Sequence, residues 1–435
     1  MSPRRVAFLN ARLLDPASGL DAPGGLLVED GRIADFGPGL RQAPEDVEVA
    51  DCGGACLAPG LVDMRVRFGG PGAEHKETIA SGARAAAAGG VTSLACLPDT
   101  EPVIDDPAMV EFVARRARQA KLVKVYPYGA VTQGLQGERL AELGLLAEAG
   151  AVGFTDGASA VADGLVMRRA LSYASAFDGL IVQHSEDPAL ARDGAANEGA
   201  VATRLGLAGI PTQAEVIVVE RDLRLVELTG CRYHVAHVST AAAIDAVRRA
   251  KARGLPVTCE AAPHHFALNE LEVEGYRTFA KVSPPLRGED DRRAVVEGLV
   301  DGTIDVIASD HCPQDQDSKR LPFAQAAFGA VGLETMLAVA LTELVHNRNL
   351  GLLALLDKLT RAPADPLGLE AGRLRRGAPA DLVLFDPEAP WKIREEDLLS
   401  LSKNTPFDGR LVQGRVLRTV VDGRTVFERQ GEGAP

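Results

Sequence analysis

The chain has 435 residues, 46% of them hydrophobic, so it is long enough to bury a large core. Its net charge of −13 and calculated pI of about 5.2 argue against a nucleic-acid partner or an anionic-membrane partner. The sequence contains no run of about 18 apolar residues, which excludes a membrane-spanning helix. Six cysteines without zinc-finger spacing indicate free thiols, and we expect a soluble, cytoplasmic protein.

Both ends of the chain are predicted to be rich in short strands. Asp30-Gly31 and Asp422-Gly423 each lie between apolar runs, which is typical of a hairpin turn. A strand-rich start and a strand-rich end flank a middle in which helices are frequent. We therefore predict that residues 1–58 and 371–435 pair into one small composite β-sandwich.

Residues 59–370 are predicted to alternate between strands and helices. The predicted strands are 61–68, 91–97, 123–128, 152–155, 180–184, 233–237, 257–260 and 306–310. The clearest predicted helices are 81–88, 165–176, 213–229 and 240–253. About eight βα units of this kind predict a TIM-like (β/α)8 barrel, in which catalytic residues lie at the C-terminal ends of the strands.

Three candidate metal ligands follow predicted strands. His184, His237 and Asp310 each lie where a strand ends, and two imidazoles with one carboxylate suit a single zinc ion with an open fourth position. The alternative is that each is a polar strand-end residue satisfied by its neighbours. The first barrel strand carries Arg65 and Arg67, and arginine has no lone pair to offer a metal.

Motifs along nearly the whole chain resemble the dihydroorotase family of the amidohydrolase superfamily, in its long bacterial type. The matching segments include Pro-Gly-Leu-Val-Asp at 59–63, Cys-Leu-Pro at 96–98, Pro-His-His at 263–265, Lys-Val-Ser-Pro-Pro-Leu-Arg at 281–287 and Gly-Ala-Pro-Ala-Asp-Leu at 377–382. The resemblance implies an amidohydrolase barrel with a composite β-sandwich. It also implies two zinc ions, of which the first strand binds one through a His-x-His pair.

The resemblance implies that several functional positions of the family are altered here. His184, His237 and Asp310 match the family's two single histidines and its catalytic aspartate, a general base and acid. The lost metal positions are Arg65, Arg67 and Gly157, and Asp156 is a stand-in for the bridging carboxylate if the register shifts by one residue. The substrate-binding positions of the family hold Gly69, Asp99, Ser283 and Gln314.

So many changes in one site predict a catalytically degenerate pseudoenzyme of pyrimidine biosynthesis. The resemblance implies a partner for it, because some homologues scaffold or activate the catalytic chain of aspartate transcarbamoylase in a homo- or hetero-oligomer. We expect such a protein to need no cofactor. The alternative is an active cyclic amidohydrolase, dihydroorotase or hydantoinase-like, with one zinc ion at His184, His237 and Asp310 and with Asp310 as its catalytic residue.

Three further expectations concern the surroundings of this site. We expect a guanidinium of Arg65 or Arg67 to pair with Asp310 or Asp156 and to replace the lost positive charge of the metal. His264-His265 is interpreted as structural. Residues 314–320 are polar and without an apolar period, which predicts a solvated loop.

Overall fold

The computed structural model of the protein describes residues 5–347 and 350–430. The strands in these ranges are β1 (Arg5–Asp15), β2 (Leu20–Glu29), β3 (Arg32–Gly37), β4 (Glu48–Asp51), β5 (Cys56–Pro59), β6 (Leu61–Val66), β7 (Val91–Cys96), β8 (Lys124–Pro127), β9 (Leu180–Gln183), β10 (Ala196–Asn197), β11 (Gly209–Ile210), β12 (Arg232–Val235), β13 (Val257–Ala261), β14 (Val306–Ile307), β15 (Leu382–Lys392), β16 (Leu411–Val421) and β17 (Arg424–Glu428).

The α-helices of the described residues lie mainly between the barrel strands. They are α1 (Ile79–Ala88), α2 (Pro107–Ala120), α3 (Leu143–Glu148), α4 (Gly164–Ser175), α5 (Ala200–Leu205), α6 (Gln213–Thr229), α7 (Ala241–Ala252), α8 (Pro263–Ala267), α9 (Glu289–Asp301), α10 (Gln316–Lys319), α11 (Met336–Ala340), α12 (Leu352–Leu359) and α13 (Arg361–Ala364). Over the described part of the chain, no helix combines the length and the apolar character that crossing a membrane requires.

Strands from both ends of the chain form one sheet. Its order is β17-β16-β15-β5-β1-β2-β3, and β4 pairs with β1. The junction between the two ends is antiparallel, with Leu382 of β15 opposite Pro59 of β5. Apolar side chains from both ends, among them Phe8, Ile33 and Leu384, share one buried cluster. The predicted pairing of the two termini is therefore confirmed, while the division of the chain at residues 58 and 370 stays a prediction.

The middle of the chain forms the predicted barrel. Strands β6, β7 and β8 are parallel, as are β9, β12, β13 and β14. Phe154 bridges to Gly129 and to Ile181 and so joins the two groups, and Val66 bridges to His311 and closes the ring. The predicted strand at 152–155 is thus present only as single bridges. The C-terminal ends of these strands all meet at one mouth.

Helix α1 shows how sequence fixes the packing of one βα unit. Thr78 caps the helix, because its hydroxyl accepts from the backbone N–H of Ser81 while the Ser81 hydroxyl accepts from the backbone N–H of Thr78. Most of its alanines are buried, which lets the helix lie close to the sheets. The helix ends at Gly89, where a Cβ atom would collide with the carbonyl oxygen of Leu333.

Candidate active site at the barrel mouth

The predicted site residues meet at the C-terminal ends of the barrel strands. Arg65 lies near the end of β6, His184 directly follows β9, His237 follows β12 and Asp310 follows β14. His237 and Asp310 have positive φ angles of 33° and 49°. Residues other than glycine rarely adopt such angles, and they cluster at functional sites because the surrounding structure must hold them there.

The two histidines are in contact with each other. His184 Nδ1 lies 3.0 Å from His237 Nε2, within hydrogen-bond distance. On its other side, His184 Nε2 lies 3.8 Å from a carboxylate oxygen of Glu186. Burial and the nearby charge of Arg65 hold the pKa of His237 well below its usual value, so this imidazole is neutral at physiological pH.

Arg65 forms a buried ion pair with Asp310, which is one of the pairings expected from the sequence. Its Nε donates to Asp310 Oδ1 at 2.9 Å, and the exposed fractions of the two side chains are 4% and 13%. Its Nη2 donates to the carbonyl oxygen of Gly157 at 3.1 Å. Burial raises the pKa of Asp310 to about 6, although the charge of Arg65 opposes the rise. The guanidinium thus supplies the positive charge beside this carboxylate.

Arg67 directly follows β6 and forms a second ion pair at the mouth. Its Nη2 lies 2.6 Å from Asp99 Oδ2, and its Nη1 lies 3.6 Å from the sulfur of Cys312. The charge of Asp99 raises the pKa of Arg67 above its usual value. A cavity of about 220 Å³ lies here and is lined in part by Arg67, Lys76, Asp99 and Gln314.

Asp156 does not stand in for the bridging carboxylate. Its Oδ1 accepts from the backbone N–H groups of Val131 and Thr132 at 2.9 Å each, and its Oδ2 accepts from the Thr132 hydroxyl. The carboxylate therefore holds the loop after β8. Gly157 has a φ of +67°, and a Cβ atom there would lie 2.9 Å from the carboxyl carbon of Asp99. A carboxylate side chain at 157 is therefore sterically opposed by Asp99.

Besides Asp99, the three other altered substrate positions are also fixed by local contacts. A Cβ atom on Gly69 would collide with the carbonyl oxygen of Ala73, so the turn leaves no room for a side chain. The Ser283 hydroxyl donates to a Glu186 carboxylate oxygen at 3.2 Å. Gln314 is buried; its side chain donates to the carbonyl oxygen of Phe328 at 2.8 Å and accepts from the Lys76 ammonium at 2.9 Å.

The prediction that residues 314–320 form a solvated loop is correct only in part. Gln316, Asp317 and Arg320 are exposed, but Gln314 and Lys319 are buried and the segment contains α10. Asp315 caps α10 through the backbone N–H of Ser318. Lys319 is 3% exposed, and its ammonium donates to the carbonyl oxygens of Thr278, Lys281 and Ala327 at 3.0, 3.3 and 2.8 Å. The Lys319 ammonium is therefore satisfied by backbone carbonyl groups inside the protein, and apolar periodicity cannot detect such contacts.

His264 belongs to the site, which the sequence interpretation missed. Its Nε2 lies 3.7 Å from Asp310 Oδ2, on the opposite side of the carboxylate from Arg65. Burial holds the pKa of His264 well below its usual value, so it faces Asp310 as a neutral imidazole. The signal for its role was its place just after β13, another strand that ends at the mouth. His265 is structural as expected, because its Nε2 bonds to the carbonyl oxygen of Pro284 at 3.0 Å.

A buried carboxylate behind the mouth joins the barrel to a later segment. Glu77 accepts from the Ser400 hydroxyl and from the backbone N–H of Leu401, and its Oε2 lies 3.7 Å from His311 Nε2. Burial alone would raise the pKa of Glu77, but its bonds to His311 and Ser400 hold that pKa below its usual value of 4.5. Residues 400–401 are thereby held against the loop that precedes α1.

The side chains at the mouth do not fit the metal set that the resemblance implies. Across residues 5–347 and 350–430, no group of three or more His, Cys, Asp or Glu side chains is placed to hold a metal ion. His184 and His237 are close together, but the nearby Asp310 is engaged by Arg65. A guanidinium cannot ligate a metal, and its charge repels one.

Three comparisons place the chain among known proteins. A family model described as Dihydro-orotase-like matches residues 54–243. A dihydroorotase of Syntrophotalea carbinolica is 49% identical over 97% of this chain and 99% of its own length, and a dihydroorotase of Pelobacter propionicus is 48% identical over the same shares. A solved L-hydantoinase from Arthrobacter aurescens superposes with a TM-score of 0.88 at 27% identity and covers 97% of this chain and 96% of its own.

These matches overturn the main functional prediction. Relatives 44–49% identical over nearly the whole chain are named dihydroorotase, so the prediction of a non-catalytic scaffold that is not an enzyme is wrong. They favour the alternative, an active enzyme. Members of this family usually use zinc, so family membership does not support the expectation that no cofactor is needed. Association with aspartate transcarbamoylase stays a prediction.

Proposed function

Because the chain belongs to the dihydroorotase family of the amidohydrolase superfamily, we propose that it hydrolyses a cyclic amide and that its substrate is dihydroorotate. The observation that supports this proposal most strongly is identity of 44–49% with proteins named dihydroorotase that are nearly coextensive with this chain. The reaction adds water to the ring amide carbon, breaks the carbon–nitrogen bond and returns one proton to the nitrogen.

Asp310 is the group of this chain best suited to move the proton. It lies at the C-terminal end of a barrel strand, between the guanidinium of Arg65 and the imidazole of His264. As a carboxylate it accepts a proton from the attacking water, and as the acid it donates that proton to the departing ring nitrogen. Because His264 is neutral, Arg65 is the charged partner that orients the Asp310 carboxylate.

Arg65 offers a donor for the charge that develops on the amide oxygen. Its Nη1 is buried and has no hydrogen-bond partner among the described residues, whereas its Nε and Nη2 are engaged. A preorganised donor of this kind stabilises an oxyanion in a buried site, and removal of one typically costs ~10²–10³-fold in rate. Arg65 therefore both orients Asp310 and supplies positive charge to the transition state.

The cavity beside Arg67 has room for a small ring, although Arg65 and Asp310 are not among the residues that line it. Its volume of about 220 Å³ lies below the ~300–1,000 Å³ that is usual for pockets of drug-sized ligands. Arg67 and Lys76 supply positive charge for a substrate carboxylate, although Asp99 neutralises part of it. Gly69 supplies none, because its turn excludes a side chain.

A second candidate substrate is an uncharged cyclic amide such as a hydantoin. It is favoured by Gly69, which removes the carboxylate-binding arginine that the resemblance implies, and by the close superposition on a protein named L-hydantoinase. The two candidates share the same reaction. They differ in whether the ring carries a carboxylate, so a substrate panel separates them.

The test is hydrolysis of dihydroorotate, of hydantoin and of dihydrouracil by the purified full-length chain. Asp310→Asn keeps the shape of the side chain and removes the proton acceptor. Asp301→Asn is the matched control, because Asp301 lies in α9 with 44% of its side chain exposed. We expect turnover of dihydroorotate that Asp310→Asn abolishes and Asp301→Asn leaves unchanged. Background rates on all three rings would refute the proposal. Turnover of the uncharged rings alone would show that the substrate is an uncharged cyclic amide and not dihydroorotate.

A further inference from the structure

The first barrel strand presents guanidinium groups where the resemblance implies imidazoles. Arg65 and Arg67 are two residues apart, and each pairs with a carboxylate that belongs to a different strand end. Asp310 is the partner of Arg65, and Asp99 is the partner of Arg67. The two carboxylates that pair with these positions therefore each lie beside a fixed positive charge on the protein.

Gly157, the position at which the resemblance implies a bridging carboxylate, also contacts Arg65. The carbonyl oxygen of Gly157 accepts from Arg65 Nη2, so the backbone at this position serves the guanidinium. A side chain at 157 would meet Asp99, which Arg67 holds in place. Arg65, Arg67, Asp99 and Gly157 thus form one self-consistent arrangement, and a metal ion could enter only if this arrangement were taken apart.

We propose that the guanidinium of Arg65 takes the place of a metal ion at the barrel mouth, so that His184, His237 and Asp310 bind no Zn²⁺. A zinc ion bound by Asp310 would lie beside the guanidinium of Arg65 unless that side chain were displaced, and the charge of Arg65 cannot be removed by deprotonation. Displacement would also leave Nε and Nη2 of a side chain that is 4% exposed without their partners. Arg65 of the first barrel strand is therefore the reason why this chain differs from the zinc-binding members of the family.

The proposal is tested by zinc content, which is measured without substrate and so does not depend on the proposed function. The full-length chain is purified from cells grown with added zinc, and its metal is counted by mass spectrometry after desalting. The metal-free chain is then titrated with ZnCl2 against a chromophoric chelator. The expected result for the natural chain is far less than one zinc ion per chain.

The double variant Arg65→His/Arg67→His tests the cause. It restores two imidazoles beside His184, His237 and Asp310, and it is expected to bind about one zinc ion per chain. Arg65→Met is the second variant in case the double variant does not fold, and it removes the charge while leaving the three other side chains in place. Zinc content that neither folded variant raises would overturn the assignment to Arg65.

One further variant locates any zinc that the natural chain does hold. Stoichiometric zinc in the natural chain that His184→Ala removes would overturn the proposal directly. Zinc that His184→Ala leaves in place would lie elsewhere on the protein, and the proposal for the barrel mouth would stand. Far-ultraviolet circular dichroism of each variant confirms that the chains compared are folded.

Discussion

Replacement of Arg65 by methionine is expected to lower the free energy of unfolding by ~3–5 kcal/mol, the usual cost when one partner of a buried ion pair is removed. The pair qualifies as buried because the side chains of Arg65 and Asp310 are 4% and 13% exposed. Without Arg65, the carboxylate faces His264 at 3.7 Å, and burial keeps that imidazole neutral. Methionine fills much of the vacated space, so the loss reports charge rather than volume.

The size of this loss should depend on pH in a definite direction. The pKa of Asp310 is raised to about 6 with Arg65 present, and it rises further when the guanidinium is removed. A carboxyl group with a raised folded-state pKa destabilises the fold progressively as pH rises from its unfolded value through its folded value. The loss of unfolding free energy in Arg65→Met is therefore expected to be smallest at pH 5, where the Asp310 carboxyl is protonated, and largest at pH 8.

Urea unfolding at both pH values, followed by fluorescence and circular dichroism, measures the loss. Arg67→Met is the matched control two residues further along the chain, and we expect a smaller effect because the Arg67 side chain is 31% exposed. The double variant Arg65→Met/Asp310→Asn should recover part of the stability, since it leaves no unpaired charge. A loss for Arg65→Met no larger than for Arg67→Met, or no recovery in the double variant, would refute the reasoning.

Three further predictions concern residues around the site. Glu77→Gln should lower the melting temperature at pH 7 but approach the natural chain as pH falls below 4.5, because the folded-state pKa of Glu77 is depressed and its stabilisation is lost in acid; a constant difference across pH would contradict this. Lys319→Met should cost about 3 kcal/mol in urea unfolding, because three backbone carbonyls lose their buried donor; an unchanged unfolding midpoint would contradict it. Gly157→Asp should melt lower than Gly230→Asp, which has a similar φ but open space around its Cβ position, because only the former meets Asp99; equal melting temperatures would show that Asp99 does not matter.

The barrel and the terminal sheet were predictable from sequence because they rest on local signals. The helix at 213–229 was predicted with its observed bounds, since its apolar spacing and the glycine that follows it are encoded locally. The convergence of His184, His237 and Asp310 also followed, because parallel strands bring their C-terminal ends to one mouth. The strand at 152–155 is shorter than expected and persists only as bridges at Phe154.

What the sequence did not reveal depends on contacts between distant residues. Asp156 was a candidate bridge, yet its carboxylate turns to the backbone at 131–132, a choice set by a loop 24 residues earlier in the chain. Lys319 reads as a surface residue until the carbonyl oxygens around it are known. The pairing of Arg65 with Asp310 was foreseen from charge alone, but its competing alternative, Asp156, could be excluded only by geometry.

Diffraction at the zinc absorption edge, from crystals grown with excess ZnCl2, tests most directly whether Arg65 rather than a metal ion lies against Asp310. We predict no anomalous peak among His184, His237 and Asp310, and an Arg65 guanidinium within hydrogen-bond distance of the Asp310 carboxylate. A strong peak at that position, with the Arg65 side chain turned away from Asp310, would contradict the account and would show that the site binds zinc.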